Sequence, residues 1–282
     1  MRQIDVLHRG LEKVIACYEI DGILVDPGPQ SCEDTLLDAL GGDRPRALLL
    51  THIHFDHAGA AGSLVRRWPD LDVYVHERGA RHMVSPEKLV ASAARLYGGE
   101  EGLRETWGEV VPVPEENLHV LSGGERVLGF EVRYTPGHAS HHVCYLHEQT
   151  GTAFVGDMAG VRVPPAGLTL APTPPPDIDV DAWEHSLSVI AAWEPQVLAL
   201  THFGTADDPP GQLNAVRESL RWQAELVGAA DQERFMATLH ERVASAVPAE
   251  DVAAVELAAP LDHLFLGLDR WHSKQGYTSD SE

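Results

Sequence analysis

The segment that decides the fold is RALLLTHIHFDH, residues 46–57, in which an apolar run leads into three histidines and an aspartate. The run RALLL is typical of a buried strand. Because side chains alternate along a strand, we expect His52 and His54 on one side, with Asp56 and His57 in the turn that follows. Four side chains that can bind metal therefore converge within six positions.

Three further polar clusters follow predicted strands elsewhere in the chain. They are TPGH at residues 135–138, VGD at 155–157 and THFG at 201–204. We expect all of them to lie along one sheet edge with the first cluster. Imidazole and carboxylate ligands suit zinc, iron or manganese, and the lack of a nearby cysteine favours an open, reactive site over a closed structural one.

The remaining pattern alternates strands with helices. Residues 14–20, 22–28 and 71–77 are predicted strands, and SCEDTLLDALGG is a predicted helix with Ser31 as its N-cap and Gly41-Gly42 as its stop. A helical stretch over residues 86–107 is predicted to be an insertion. Strands in both halves with helices between them predict an α/β sandwich, with sheets packed between helices.

The run DDPPG at residues 207–211 interrupts this pattern, and helical periodicity dominates beyond it. We predict a catalytic domain over residues 1–210 and a C-terminal helical extension over residues 211–282 that packs on it. The polar end, residues 276–282, is predicted to be disordered.

Charge and hydropathy restrict the partners. The chain has 21 Lys and Arg against 43 Asp and Glu, a formal net charge of -22, which argues against nucleic acid as a partner. No apolar run approaches the roughly 20 residues that span a bilayer, and the N-terminus lacks the pattern of a secretory signal. We therefore expect no membrane partner and a cytoplasmic location. Phosphate-binding and dinucleotide-binding glycine motifs are missing from the sequence, so no organic cofactor is expected.

The combined motifs resemble the five-motif signature of the metallo-β-lactamase superfamily. The His-x-His-x-Asp-His run, the later lone His, the Asp after a glycine and the final His occur in the family's order over roughly residues 10–210, and Asp26 in VDPG matches the first motif. The resemblance implies the family's αββα sandwich, two mixed β-sheets between helices, with C-terminal helices added.

The same resemblance implies a site with two metals. One metal would be bound by His52, His54 and His138, the other by Asp56, His57 and His202, and Asp157 would bridge them. Asp26 would orient the ligand loop through hydrogen bonds without touching metal. Two divalent ions are expected as cofactors, zinc first, with iron and manganese as alternatives.

The ligand set is most similar to those of the glyoxalase II group, the acyl-homoserine lactonases and related thioesterases. Antibiotic-destroying members typically have an arginine or a cysteine at positions of the second metal. This chain has His57 and no cysteine at the matching positions. We predict a hydrolase in which a metal-bridging hydroxide attacks the ester, thioester or lactone carbonyl of a small-molecule acyl substrate, with Asp56 and Asp157 as its catalytic residues. Two alternatives stay open: an iron-dependent sulfur (persulfide) dioxygenase, and a metal-bound small-molecule-binding or signalling protein with little turnover.

Residues around the metals are harder to assign. The candidate substrate pocket consists of His142, Met83, Tyr97 and Val161. His141 and His142 are expected either to contact a ligand or substrate, or to alternate across a strand with one of them solvated. The C-terminal helices are expected to cap the site, to form a homodimer or simply to pack on the domain.

Overall fold

The computed structural model describes residues 1–164 and 167–279. The first of its two six-stranded sheets contains, in spatial order, β1 (Arg2–Asp5), β2 (Ala16–Ile20), β3 (Ile23–Val25), β4 (Ala47–Leu49), β5 (Asp72–His76) and β6 (Leu118–Leu121). Strands β1 to β3 pair antiparallel, whereas β3 to β6 pair parallel. Strand β4, which precedes the decisive histidines, is therefore an interior strand of a mixed sheet.

The second sheet follows in the chain. Its strands are β7 (Arg126–Val127), β8 (Phe130–Tyr134), β9 (Val143–His147), β10 (Thr152–Gly156), β13 (Val197–Leu200) and β14 (Gly204–Ala206), and a separate hairpin consists of β11 (Val161–Arg162) and β12 (Thr169–Leu170). Their spatial order is β14-β13-β10-β9-β8-β7, with β10 parallel to β13. The residues that follow β10 and β13 consequently emerge side by side at one edge of the sheet.

Eleven helices are present in the described part of the chain. They are α1 (Glu33–Leu40), α2 (Phe55–Ala58), α3 (Ala61–Arg67), α4 (Glu77–Val84), α5 (Glu87–Ala93), α6 (Glu100–Trp107), α7 (Val180–Ala191), α8 (Pro209–Ala229), α9 (Gln232–Ala246), α10 (Val252–Ala258) and α11 (Leu261–Ser279). None of these described helices is both long and apolar enough to cross a membrane.

Three apolar clusters show how the layers are stacked. Neighbouring residues of one strand face opposite layers, as Leu48 packs with the helices of the first half while Leu49 packs between the two sheets. In the second sheet Phe154 lies between the sheets and Val155 faces α7 and α8. This strict alternation buries both faces of each sheet. The αββα sandwich predicted from the sequence is confirmed.

The start of α1 differs from the prediction. Its N-cap is Cys32, and the Ser31 hydroxyl instead donates a hydrogen bond to the carbonyl of Thr106, 3.0 Å away. Ser31 therefore hydrogen-bonds a distant segment and does not cap the helix, although its local propensity favoured the cap. The predicted stop is confirmed, because Gly41 ends the helix in the left-handed region at φ 65°.

The predicted helical stretch over residues 86–107 is present in pieces. Helix α5 continues directly into a 3-10 turn at Ala94–Leu96. Gly98 and Gly99, at φ 73° and 120°, separate this turn from helix α6. Positive φ values interrupt the helical backbone there. The stretch therefore folds back on itself, and both of its arms reach the site described below.

The C-terminal helices pack on the outer face of the second sheet. Leu220 of α8, Phe235 of α9 and Leu264 of α11 belong to the same buried cluster as Trp183 of α7. The boundary at residue 210 stays a prediction. Helix α11 continues to Ser279, where a disordered end was predicted from residue 276, and residues 280–282 lie outside the described residues.

Candidate metal centre

The predicted ligands follow four separate strands and lie close together in the structure. Strand β4 ends at Leu49, one residue earlier than expected, so His52 and His54 lie in the loop before α2, and α2 carries Asp56 and His57. The other three ligands follow β8, β10 and β13; they are His138, Asp157 and His202. Both sheets therefore contribute to the cluster.

The first group contains three imidazoles. The Nδ1 atom of His54 lies 3.0 Å from Nε2 of His52 and 3.1 Å from Nε2 of His138. Two nitrogens bound at about 2.0–2.1 Å to one tetrahedral ion are separated by roughly 3.3 Å. The spacing of the three nitrogens therefore fits a single cation.

The second group lies beside the first. Oδ2 of Asp56 is 3.3 Å from Nε2 of His202 and 3.7 Å from Nε2 of His57. The carboxylate of Asp157 faces both groups: its Oδ2 lies 3.1 Å from His138 Nε2, and its Oδ1 lies 3.1 Å from His57 Nε2. Asp157 thus occupies the bridging position that the resemblance implied.

Unpartnered polar atoms show that this cluster is built for cations. Nε2 of His57 and Nε2 of His202 lie 3.1 and 3.4 Å from Oδ1 of Asp157, and all three atoms are buried, but no hydrogen bond of acceptable geometry joins them. Leaving a buried polar atom unpaired costs about 1–3 kcal/mol. Since nitrogen and carboxylate oxygen are the donors that zinc, iron and manganese prefer, the residues present fit two divalent ions.

The outward-facing ring nitrogens fix how each imidazole is protonated. Nδ1 of His138 lies 2.8 Å from the carbonyl of Pro172, and Nδ1 of His202 lies 2.6 Å from the carbonyl of Val14. A carbonyl only accepts, so each of these two Nδ1 atoms must carry a proton, and in the neutral imidazole the Nε2 lone pair is directed inward. These contacts hold the histidines in the form that binds metal.

Asp26 supports the cluster from behind. It is completely buried, adopts φ 51°, and accepts hydrogen bonds from the backbone N–H and the hydroxyl of Thr51 and from the hydroxyl of Thr201. Its Oδ2 also lies 2.8 Å from Nδ1 of His57. Because Nδ1 of His52 lies 3.1 Å from the Thr51 hydroxyl, Asp26 orients two ligand histidines, one directly and one through Thr51.

Charges inside the cluster shift its pKa values in opposite directions. Burial lowers the pKa of His57, but the carboxylates of Asp157, Asp56 and Asp26 outweigh it and raise this pKa well above its usual value. Burial raises the pKa of Asp157, yet His138, His57 and His202 reverse the effect and hold it well below the usual range. In the absence of metal, the carboxylates therefore pair with His57 and His202, whereas burial lowers the pKa of His52, His54 and His138.

A cavity of about 280 Å³ opens onto the cluster at His54, Asp56 and Asp157. Of the predicted pocket residues, Tyr97 lines this cavity, but His142, Met83 and Val161 do not. Met83 lines a smaller cavity beyond Phe55, and Val161 is buried in the core beside the second sheet. Their expected place in the pocket is therefore corrected.

The paired histidines after His138 are both buried. His141 is 8% exposed and His142 0%, so the expectation that one is solvated is wrong. The ring of His142 stacks 4.9 Å from that of His52, and its Nδ1 lies 3.0 Å from the Thr135 hydroxyl. His142 therefore packs behind a candidate ligand and not in the cavity.

Beyond the predicted pocket residues, the cavity wall includes the proline segment 172–176 and residues 257–264 around the start of α11. The C-terminal helices therefore border the site, which was one of the three roles expected for them. The repeated prolines were visible in the sequence as a loop without regular structure, and they are the one signal that could have been used. No local pattern marks residues 257–264, because their place in the wall depends on how α11 packs.

Comparison with known proteins agrees with this geometry. The sequence profile of the metallo-beta-lactamase superfamily matches residues 14–202. The metallo-beta-lactamase fold-containing protein ST1585 of Sulfurisphaera tokodaii is 28% identical over 200 residues, which cover 67% of this chain and 71% of that protein. The hydroxyacylglutathione hydrolase of Legionella pneumophila strain Corby is 31% identical over 114 residues, 40% of this chain but only 33% of that enzyme.

Solved structures share the fold. The crystal structure of ST1585 from Sulfolobus tokodaii superposes with a TM-score of 0.61 at 24% identity, covering 79% of this chain and 85% of that one. The structure of TTHA1623 in a di-iron-bound form gives a TM-score of 0.56 at 25% identity, covering 76% and 96%. All seven candidate ligands lie within the matched residues 14–202. The chain therefore belongs to the metallo-β-lactamase superfamily.

Proposed function

We propose that this chain is a dinuclear metal-dependent hydrolase that cleaves the ester, thioester or lactone bond of a small-molecule acyl substrate. The observation that carries the proposal is the carboxylate of Asp157, whose two oxygens face the two groups of imidazoles at 3.1 Å each. Two cations held close together need an anionic bridge between them, and Asp157 provides one.

In this proposal His52, His54 and His138 hold one cation, Asp56, His57 and His202 hold the other, and Asp157 binds both. When bound, such a pair lowers the pKa of water so that hydroxide is available at neutral pH, and it polarises the substrate carbonyl. Zinc is the metal we propose, because imidazole and carboxylate donors with an open position are typical of its catalytic sites.

The surrounding residues control access. The Asp56 side chain is 20% exposed, whereas those of Asp157, His57 and His202 are 5% exposed or less. Water and substrate consequently reach the centre from the cavity, past Asp56. The mainly apolar wall limits water elsewhere, which strengthens the electrostatic interactions of the carboxylates with whatever binds there.

Relatives support the reaction class without fixing the substrate. One relative is named hydroxyacylglutathione hydrolase, and another, from Bacillus subtilis, is named probable metallo-hydrolase YqgX. A cytoplasmic location, a homodimer and the lack of a nucleic-acid or membrane partner stay predictions.

The test is the variant Asp157→Asn, which removes the bridging charge and keeps the side-chain volume. Replacing a residue that merely supports a ligand typically costs 10–100-fold, so loss of the bridge should reduce kcat/KM on a thioester and lactone panel by more than about 100-fold. Metal analysis should show two ions per chain in the parent protein and at most one in the variant.

Asp70→Asn is the matched control, since the Asp70 side chain is 89% exposed and forms a long surface ion pair of 3.7 Å with Arg44. It should retain both ions and full activity. Folded parent protein without affinity for transition metals, or full activity in Asp157→Asn, would contradict the proposal.

A further inference from the structure

The cavity beside the candidate metal centre is distinctive because three distant segments build its wall. Helix α5 and the turn after it contribute Ala93 and Tyr97, the proline segment 172–176 forms a second side, and α11 contributes Leu264. The candidate ligands His54, Asp56 and Asp157 line another side. The cavity is therefore a compartment for the part of a substrate that adjoins the reacting carbonyl.

The wall carries little charge between the ligands and the outer edge. Arg95, the one arginine or lysine in the lining, is exposed, and no ion pair is recorded for it within the described residues. Burial lowers the pKa of His263 and raises that of Tyr97, so both side chains are uncharged at neutral pH. A charged group placed in the interior would lose its hydration without gaining a partner of opposite charge.

The volume sets a scale for the group that fits. An apolar cavity of roughly 150 Å³ takes up benzene, so the 280 Å³ here has room for a chain of about eight carbons, or for a ring with two or three methylenes. The leaving group departs to solvent with its developing negative charge, which suits the exposed edge beside Arg95. The apolar wall of Tyr97, the proline segment and α11 then suits the acyl side.

We propose, on the basis of the hydrolase function above, that the substrate carries an uncharged aliphatic or aryl-aliphatic acyl group of about six to ten carbons, which binds between Tyr97, the proline segment and α11. An acyl group that itself carries a charge is not preferred.

The first experiment measures kcat/KM for 4-nitrophenyl esters from two to twelve acyl carbons on zinc-loaded protein. Each methylene buried contributes about four-fold to binding, so activity should rise steeply to about eight carbons and fall once the chain exceeds the cavity. A second series with a constant acetyl group and a lengthening alcohol should show no such optimum. An optimum in the alcohol series alone would overturn the assignment of the acyl side.

The variant Ala93→Phe tests the location. Ala93 lines the cavity but is only partly buried, so the ring should fill the cavity with little effect on folding. The ratio of activity on the eight-carbon ester to that on the two-carbon ester should fall at least ten-fold. Ala91→Phe, on the exposed face of the same helix, should leave this ratio unchanged. Equal ratios in the two variants would overturn the proposal.

A binding measurement separates this inference from the hydrolase proposal. In isothermal titration, 1-octanol should bind the parent protein at least ten-fold more tightly than 1-butanol, and Ala93→Phe should remove the difference. Such binding without hydrolysis of any ester would refute the hydrolase function and keep the apolar site. Hydrolysis without chain-length preference would refute the site and keep the hydrolase.

Discussion

Replacing Asp26 by asparagine tests whether the metal centre depends on the hydrogen bonds behind it. Oδ2 of Asp26 accepts from the hydroxyls of Thr51 and Thr201 at 2.7 and 3.0 Å and lies 2.8 Å from Nδ1 of His57. An amide nitrogen at that position would face three donors and could accept from none. Hydrogen bonds to a charged acceptor contribute about 1.5–3 kcal/mol each, so the free energy of unfolding should fall by about 4 kcal/mol.

The assay is urea denaturation of the protein with zinc and with chelator, combined with a zinc titration. Metal affinity should fall about 10–100-fold in Asp26→Asn, because His52 and His57 lose the contacts that orient them. Thr201→Val removes one of the three donors to Oδ2 and should cost only about 1.5–3 kcal/mol. If Asp26→Asn unfolds within 1 kcal/mol of the parent protein, or Thr201→Val costs as much as Asp26→Asn, the reasoning is wrong.

Two further outcomes are expected. Carboxylates raise the pKa of His57 and His202 in spite of burial. In metal-free protein this shift stabilises the fold fully below the unfolded histidine pKa of about 6.5, and the stabilisation is lost as pH rises through the raised pKa values. Metal affinity should increase over the same pH range, because the ligands lose their protons. Denaturation of chelated protein and zinc titration at pH 6 and 9 measure both, and affinity that falls with pH would contradict it. A Cβ added at Gly267 would overlap the carbonyl oxygen of Thr173, so Gly267→Ala should destabilise the protein by about 2–4 kcal/mol and weaken chain-length selectivity. Gly228→Ala is the control: its nearest contact is a flexible side chain at 3.2 Å, and it should cost less than about 1 kcal/mol. Equal losses of stability in denaturation would contradict this prediction.

The layers of the fold could be predicted because they depend on local periodicity. An apolar run such as 46–50 gives a strand with both faces buried, and the polar residues after it must then lie at its end. The ligand clusters could be located for the same reason. The distances between the ligand clusters could not be predicted, because they depend on how the two sheets pack and on which carbonyl accepts a hydrogen bond from each imidazole.

The errors have a common physical origin in contacts between distant segments. Ser31 has the side chain of an N-cap, but the carbonyl of Thr106 lies within its reach and takes its hydrogen bond. Met83 was expected beside Tyr97 in the pocket, but it lies in α4, before the bent stretch that carries Tyr97, and it lines a different cavity. Propensity describes a residue among its chain neighbours, and tertiary contacts of comparable energy override it.

The two halves of the candidate centre also differ in charge, which the sequence order of the ligands does not reveal. The first group has three imidazoles, and the Nδ1 of His138 meets only a neutral carbonyl. The second group contains the carboxylate of Asp56, and Asp26 lies against the outer nitrogen of His57. A carboxylate at that nitrogen makes the imidazole a stronger donor than a carbonyl does. Since Asp157 is shared, the second position offers a cation more negative charge than the first, and so the proposed pair of metals would occupy inequivalent sites.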